Sequence, residues 1–167
     1  VEDGNVSLEQ TEAKKAALSL EYGDLELGSF TGESLTITSD SGNIAFDSLT
    51  CGQLDISAEY GNVTGESISI SDRADLNLDS GILNLKHASF KDVEIISEYG
   101  EILLELADAV SDYNYDLEAE YGSIKLNGTD LKMNEDDTVV YQKRDDSKKK
   151  SIFISCESGD VSIDGRE

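Results

Sequence analysis

An acidic side chain stands two residues before a glycine at eight places along the chain, and no other chemical feature of the sequence is as regular. The eight residues are Glu2, Glu21, Asp40, Glu59, Asp79, Glu98, Glu120 and Glu157. If these positions stack on one another, neighbouring carboxylates about 5 Å apart repel each other by roughly 1 kcal/mol even in a water-like dielectric. Some interaction must therefore offset the repulsion in this acidic column.

Three interpretations of the acidic column are open. We expect each carboxylate to accept hydrogen bonds from the backbone N–H groups of its own corner, as in Asx-type turns. Alternatively, the column binds Ca²⁺, because carboxylate and amide oxygens suit that ion. The cation ligands would then be Glu21, Asp40, Glu59, Asp79, Glu98, Glu120 and Glu157, helped by the residues that follow the glycines: Asn5, Asp24, Asn43, Asn62, Glu101 and Asp160. In the third interpretation the column is a docking face for a polycation.

The residue directly before each of these glycines after Gly4 is a tyrosine or a serine in a nearly regular alternation. In chain order these residues are Tyr22, Ser41, Tyr60, Ser80, Tyr99, Tyr121 and Ser158. Tyrosine is favoured at binding surfaces because it is both aromatic and polar, and a row of such rings could stack on sugars. Alternatively, each ring covers the small Ser-Gly corner of the neighbouring repeat, which the alternation of large and small side chains favours.

The sequence offers little for catalysis. His87 is the only histidine, and with the distant Cys51 and Cys156 it cannot make the usual four-ligand zinc site. We expect Cys51 near the surface and Cys156 at an inward position. A phosphate-binding loop, a nucleophile elbow and a dinucleotide fingerprint are all absent from the sequence. We therefore expect no enzyme activity, no catalytic residues and no cofactor. The alternative is a polysaccharide-active β-helix enzyme of the lyase or hydrolase type, which needs acids, basic residues and aromatic residues in one groove.

The net charge of the chain limits the classes of partner that it can bind. The chain has 36 acidic and 13 basic residues and a formal net charge of −23. Such a protein has no overall positive field with which to displace the counterions of nucleic acid. A cationic peptide, a polysaccharide or another envelope protein remains a possible partner. No apolar run approaches the length of a membrane span, so we expect none in this chain.

The glycines that follow the acidic column recur with a nearly constant step. They are 19 to 22 residues apart, except for a last interval of 37: Gly4, Gly23, Gly42, Gly61, Gly81, Gly100, Gly122 and Gly159. An aliphatic residue stands two positions after each glycine, and the following residues alternate as in strands with one buried face. The pattern predicts one all-β domain over residues 1–167, a single-stranded right-handed parallel β-helix (β-solenoid) of about seven to eight coils.

Residues 128–151 interrupt the repeat and hold six of the 13 basic residues, five of them at 143–150. The β-rich runs at 138–141 and 152–154 flank a polar tip at 144–149, which predicts a β-hairpin projecting from the solenoid. The basic residues at 143–150 are either a contact point for an acidic partner or a solvated tip. The repeat that contains Gly159 should then form the last coil, after the coil of Gly122.

The repeated [SY]-G-[DNES]-[ILV]-x-[ILFV] unit, with an acid before it, resembles a bacterial adhesin-type β-solenoid family whose domain has no assigned function. The resemblance runs from DGNV at 3–6 to SGDV at 158–161. It implies a non-enzymatic structural or binding module of the cell envelope that presents an acidic β-solenoid face. It also implies a cell-envelope or extracellular location, with the protein anchored or secreted. Because the chain starts at Val1 rather than Met, we expect it to be a fragment or a processed product, whose upstream segment could have held a signal or an anchor.

Overall fold

A computed structural model describes residues 1–134 and 137–167 of the protein. Its strands are β1 (Val6–Tyr22), β2 (Leu25–Ser41), β3 (Ile44–Tyr60), β4 (Val63–Ala109), β5 (Tyr113–Tyr121), β6 (Ile124–Leu126), β7 (Thr129–Asp130), β8 (Val139–Lys143), β9 (Lys150–Ser158) and β10 (Val161–Arg166). A 3₁₀ turn at Val110–Asp112 separates β4 from β5. The described residues contain no α-helix.

The long strands stack in parallel, with equivalent residues of the repeat in register. Leu25 pairs with Ile44, and Ile44 pairs with Val63 on the next coil. All three side chains are buried, because alternate residues of each strand point into the shared interior. No coil could bury this apolar face alone, so each depends on its neighbours. The predicted all-β solenoid is confirmed.

The corners that stack on a preceding coil, from Gly23 onward, require a glycine because two backbones approach closely there. Gly23 has a φ of +130°, a conformation that residues with a side chain rarely adopt. A Cβ at this position would also overlap the carbonyl oxygen of Gly4 in the preceding coil. The same close approach recurs along the stack, which explains the regular step of the glycines.

The order of the coils in space differs from their order in the chain. Strand β9 lies between β4 and β5 and pairs in parallel with both, and β10 lies likewise between β4 and β6. Residues 150–166 therefore form an internal layer of the stack, and residues 113–126 lie beyond them. The prediction that the Gly159 repeat is the last coil is wrong, because its two strand edges are both paired.

The interrupting segment caps the solenoid instead of projecting from it. Strands β8 and β9 lie on opposite sides of β5 and do not pair with each other, so the predicted hairpin is wrong. Strand β8 runs antiparallel to β5, and β7 runs antiparallel to β6. These short strands cover the outer edge of residues 113–126, and the buried Val139 seals the interior there. Residues 135 and 136 of the interruption lie outside the described residues.

Candidate binding surface

One corner of the solenoid carries a row of tyrosines and serines, which we call the tyrosine edge. In the order of the stack its residues are Tyr22, Ser41, Tyr60, Ser80, Tyr99, Ser158 and Tyr121. The alternation that is imperfect in the chain is therefore strict in space. Placing Ser158 between Tyr99 and Tyr121 restores the alternation, so the out-of-order layer keeps the pattern of the whole edge.

The four tyrosines of this edge face solvent. Tyr22 and Tyr60 are each 60% exposed, Tyr99 is 55% exposed and Tyr121 is 64% exposed, whereas the serines between them are half-buried. Successive tyrosines are two strand steps apart, which is about 10 Å. More than half of each tyrosine therefore remains available for contact with a ligand.

The acidic column runs beside the tyrosine edge, one residue earlier in each coil, and every one of its members is exposed. Within residues 1–134 and 137–167, none of its carboxylates accepts a hydrogen bond from a corner N–H. Those N–H groups donate to other partners, as Gly23 does to the carbonyl oxygen of Ser41 at 3.1 Å and Gly42 to that of Tyr60 at 3.0 Å. The capping prediction for the column is therefore wrong.

A different column of side chains joins successive corners. The Oδ1 of Asn5 accepts a hydrogen bond from the backbone N–H of Asp24 at 3.0 Å. Asp24 Oδ1 accepts in turn from the N–H of Asn43 at 2.8 Å, and Asn43 Oδ1 from that of Asn62 at 3.1 Å. These are residues that the cation interpretation used as ligands. Their side-chain oxygens accept hydrogen bonds from the backbone of the next coil.

The same ladder reappears at the out-of-order layer. Asp160 accepts hydrogen bonds from the backbone N–H of Ser123 at 2.9 Å and from its hydroxyl at 2.7 Å. These two bonds hold the pKa of Asp160 below its usual range. No group of three or more His, Cys, Asp or Glu side chains in the described part of the chain is arranged to hold a metal ion.

A cluster around Asp108 fastens the start of β9 to its neighbours. The Lys150 ammonium lies 2.6 Å from Asp108 Oδ2, and the hydroxyls of Ser89 and Tyr113 donate to the same oxygen at 2.7 and 2.8 Å. Burial raises the pKa of Asp108, but the bonds from Lys150, Ser89 and Tyr113 outweigh it and leave the pKa below its ordinary value. Lys150 thus serves as a structural contact of the inserted layer.

The chain crosses over the outer face of β5 between β8 and β9 and leaves an open cleft beneath it, which we call the crossover cleft. The cleft has a volume of about 470 Å³. Its principal polar and aromatic lining residues are Asn114, Asp116, Arg144, Asp145, Lys148 and Phe153. Sequence reasoning took 143–150 as an exposed tip and missed this cleft, because the cleft requires β8 and β9 to lie on opposite sides of β5, so that the segment between them crosses that strand.

The remaining candidate residues belong neither to the tyrosine edge nor to the crossover cleft. Cys51 is buried, so its expected position near the surface is wrong, and burial raises its pKa to about 11. Cys156 is buried as predicted. His87 is exposed, and its Nε2 lies 3.9 Å from a Glu105 carboxylate oxygen. Within the described ranges, no helix has the length and apolar character needed to cross a bilayer.

Comparison with known families gives one match. The family model described as Toastrack DUF4097 matches residues 1–164, which is nearly the whole chain. Comparison with curated proteins and with solved structures gives no match. The family match agrees with the β-solenoid architecture and assigns no activity.

Proposed function

This chain belongs to the Toastrack DUF4097 family, and we propose that it is a non-enzymatic, adhesin-like binding module of the cell envelope whose ligand-binding surface is the tyrosine edge. The observation that carries the proposal is the strict alternation of exposed tyrosines with serines in the order of the stack. The serines are small and leave space beside each tyrosine ring along the stack. A ligand can therefore contact the ring from the serine positions on either side.

The proposed ligand is an extended polycation, such as a basic peptide. The acidic column supplies one exposed carboxylate per coil beside the tyrosine edge, and the net charge of −23 attracts cations from a distance. Cationic groups also bind the faces of tyrosine rings. A peptide in the polyproline II conformation repeats every three residues at about 9 Å, which is close to the spacing of the tyrosines.

The crossover cleft supports a binding role over catalysis. It brings acids, basic residues and an aromatic ring together, which is the combination that an enzyme would need. However, Asp116 accepts hydrogen bonds from Gln142 at 3.0 Å and Arg144 at 3.2 Å, and Asp145 accepts two from Ser147. Hydrogen bonds to a carboxylate stabilise its charged form, and the pKa of Asp145 lies below its ordinary value, which does not favour the role of a general acid.

The proposal is tested by titrating the protein with a lysine decapeptide in a calorimeter at low and high salt. We expect binding that weakens with salt, because screening reduces the attraction. The double variant Tyr60→Ser, Tyr99→Ser should weaken binding by about tenfold or more. Glu59→Gln with Glu98→Gln should weaken it as well.

The matched control removes two exposed carboxylates from another face by Glu26→Gln and Asp47→Asn. It changes the net charge by the same amount, so it should reduce binding less than the Glu59 and Glu98 variant does. Equal losses in both charge variants, together with unchanged binding in the tyrosine variant, would refute the tyrosine edge as the ligand-binding surface.

The proposed location is tested separately. A membrane-impermeant biotinylation reagent applied to intact cells should label lysines of the protein, with a cytoplasmic protein as the unlabelled control. Labelling only after lysis would contradict the envelope location without bearing on the tyrosine edge.

A further inference from the structure

We propose that the crossover cleft is a binding site for a neutral sugar residue of an oligosaccharide. The cleft is separate from the tyrosine edge, since Phe153 and Ser158 lie on the same strand five residues apart, a distance of about 17 Å. The site is built by β5, β9 and the segment that crosses over them. It therefore exists only because the layer formed by residues 150–166 is inserted out of order.

An exposed aromatic ring forms one wall of the cleft. Phe153 is 37% exposed and points away from the solenoid interior. The residues in its outward column on other coils are the small Ala17 and five polar residues: Thr36, Asp55, Asp75, Glu94 and Asp116. Phe153 is thus a large apolar side chain that the packing of this column does not require. A sugar ring has an apolar C–H face that stacks on such a ring, which removes apolar surface from water on both sides.

Planar polar groups line the same cleft and are held in position by hydrogen bonds. Asn114 Oδ1 accepts a hydrogen bond from the backbone N–H of Asp145 at 2.6 Å, and its amide nitrogen donates to the Lys148 carbonyl oxygen at 3.5 Å. Arg144 donates to Asp116 at 3.2 Å through one nitrogen and keeps further donors unused. Side chains that are already fixed by hydrogen bonds within the protein lose little conformational entropy when they bind sugar hydroxyls.

The charge of the cleft selects a neutral ligand. Arg144 and Lys148 contribute two positive charges, and Asp116, Asp145 and Asp146 contribute three negative charges. This near balance contrasts with the strongly acidic chain around it. A polyhydroxylated neutral ring can use both the donors and the acceptors, whereas a charged sugar would face like charges at close range.

The size of the cleft agrees with this ligand class. Its volume of about 470 Å³ lies in the lower part of the range for small-molecule sites, about 300–1,000 Å³. Because the cleft is open to solvent, the remainder of a glycan chain can extend out of it. The chemistry therefore fits one or two rings of an oligosaccharide.

The test is a titration of the ¹⁵N-labelled protein with cellotriose and with triacetylchitotriose, followed by two-dimensional NMR. We expect saturable shifts at residues 114–116, 144–148 and 151–153, with a dissociation constant on the order of 1 mM for at least one sugar. Phe153→Thr places at this position the residue found at the equivalent Thr36. It should weaken binding at least tenfold and leave the melting temperature unchanged.

Three comparisons make the result specific. Phe153→Tyr keeps an aromatic platform and should retain binding. Tyr60→Ser alters only the tyrosine edge and should also retain binding, so failure of the tyrosine edge and failure of the cleft are distinguishable. Arg144→Gln should weaken binding without removing the platform.

Three outcomes would overturn the proposal. The first is the absence of saturable shifts with either neutral sugar up to about 20 mM, a concentration far above the expected dissociation constant. The second is equal affinity of the parent and Phe153→Thr. The third is tighter binding of a charged analogue, either trigalacturonate or deacetylated chitotriose, than of both neutral sugars.

Discussion

Tyr99 and Ser158 are register partners on neighbouring parallel strands, although 59 positions separate them in the chain. The same register places Cys156 directly between Ser97 and Ala119. A stack that followed chain order would instead put Ala119 beside Ser97 and leave Cys156 one coil further away. The position of Cys156 therefore distinguishes the two orders.

We predict that Ser97→Cys forms a disulfide with Cys156 when the protein is refolded under oxidising conditions. Parallel neighbours lie about 4.8 Å apart, within the range that a disulfide can span. Peptide mapping by mass spectrometry detects the bond. Ala119→Cys is the positive control, because it neighbours Cys156 in either order. A bond in the Ala119 variant alone would show that the coils follow chain order.

A second prediction separates backbone strain from steric overlap at the corners. Gly4 and Gly23 have similar φ angles of +116° and +130°. A Cβ at Gly4 meets no atom within 4 Å, whereas a Cβ at Gly23 overlaps the Gly4 carbonyl oxygen. Gly4→Ala should lower the free energy of unfolding by about 1–2 kcal/mol, the cost of the strained conformation alone. Gly23→Ala should cost at least about 2 kcal/mol more. Urea unfolding measures both, and equal losses would contradict the close packing of the corners.

A third prediction concerns the acidic column. Because Glu59 and Glu98 accept no corner hydrogen bond in the described residues, replacing them with Gln removes repulsion and no stabilising bond. The double variant should melt at a higher temperature than the parent at low ionic strength. The gain should disappear in about 1 M salt, where charges are screened within about 3 Å. A lower melting temperature at low salt would mean that these carboxylates stabilise the fold.

The fourth prediction concerns pH and the Asp108 cluster. The pKa of Asp108 is lower in the folded protein than in the unfolded chain, where it is about 3.9. Its stabilisation is therefore fully present above the unfolded pKa and is lost as the pH falls through the folded pKa. Asp108→Asn should reduce the free energy of unfolding by about 2 kcal/mol at pH 7, since charge-assisted hydrogen bonds are lost.

The difference between Asp108→Asn and the parent should narrow as the pH falls below about 4. Asp47→Asn is the control, because Asp47 is exposed and has no hydrogen-bond partner among the described residues. Denaturant titrations at a series of pH values follow both variants. A difference that stayed constant throughout the acid range would contradict the role assigned to Asp108.

The solenoid could be predicted from the sequence because its signals are local. Each glycine corner, with an aliphatic residue two positions later, reports on one coil and needs no knowledge of distant residues. The partners of the acidic column could not be predicted in the same way. Asn43 and Glu59 both offer side-chain oxygens near a corner, and only the backbone geometry decides that Asn43 accepts the N–H of the next coil.

The order of the coils was harder to predict because pairing between distant strands leaves little local trace. One signal was present, however. Tyr99 and Tyr121 stand at consecutive corners of the chain, with no serine corner between them. In the stack, Ser158 lies between these two tyrosines and completes the alternation. The crossover cleft depends on this order, so it could not be predicted while the Gly159 repeat was placed last.

The inserted layer also constrains how the protein is synthesised. Strand β5 leaves the ribosome before β9, yet β9 must lie between β5 and β4 in the finished stack. Coils near the N-terminus can add to one another as they emerge, in the usual vectorial manner. The edge of residues 113–126 that faces the inserted layer stays unpaired until residues 150–166 are available, because β8 and β7 cover only the opposite edge. Co-translational assembly of this domain is therefore completed by its final strand, and a ribosome that stalls after β5 presents an open β-edge to the cell's chaperones and proteases.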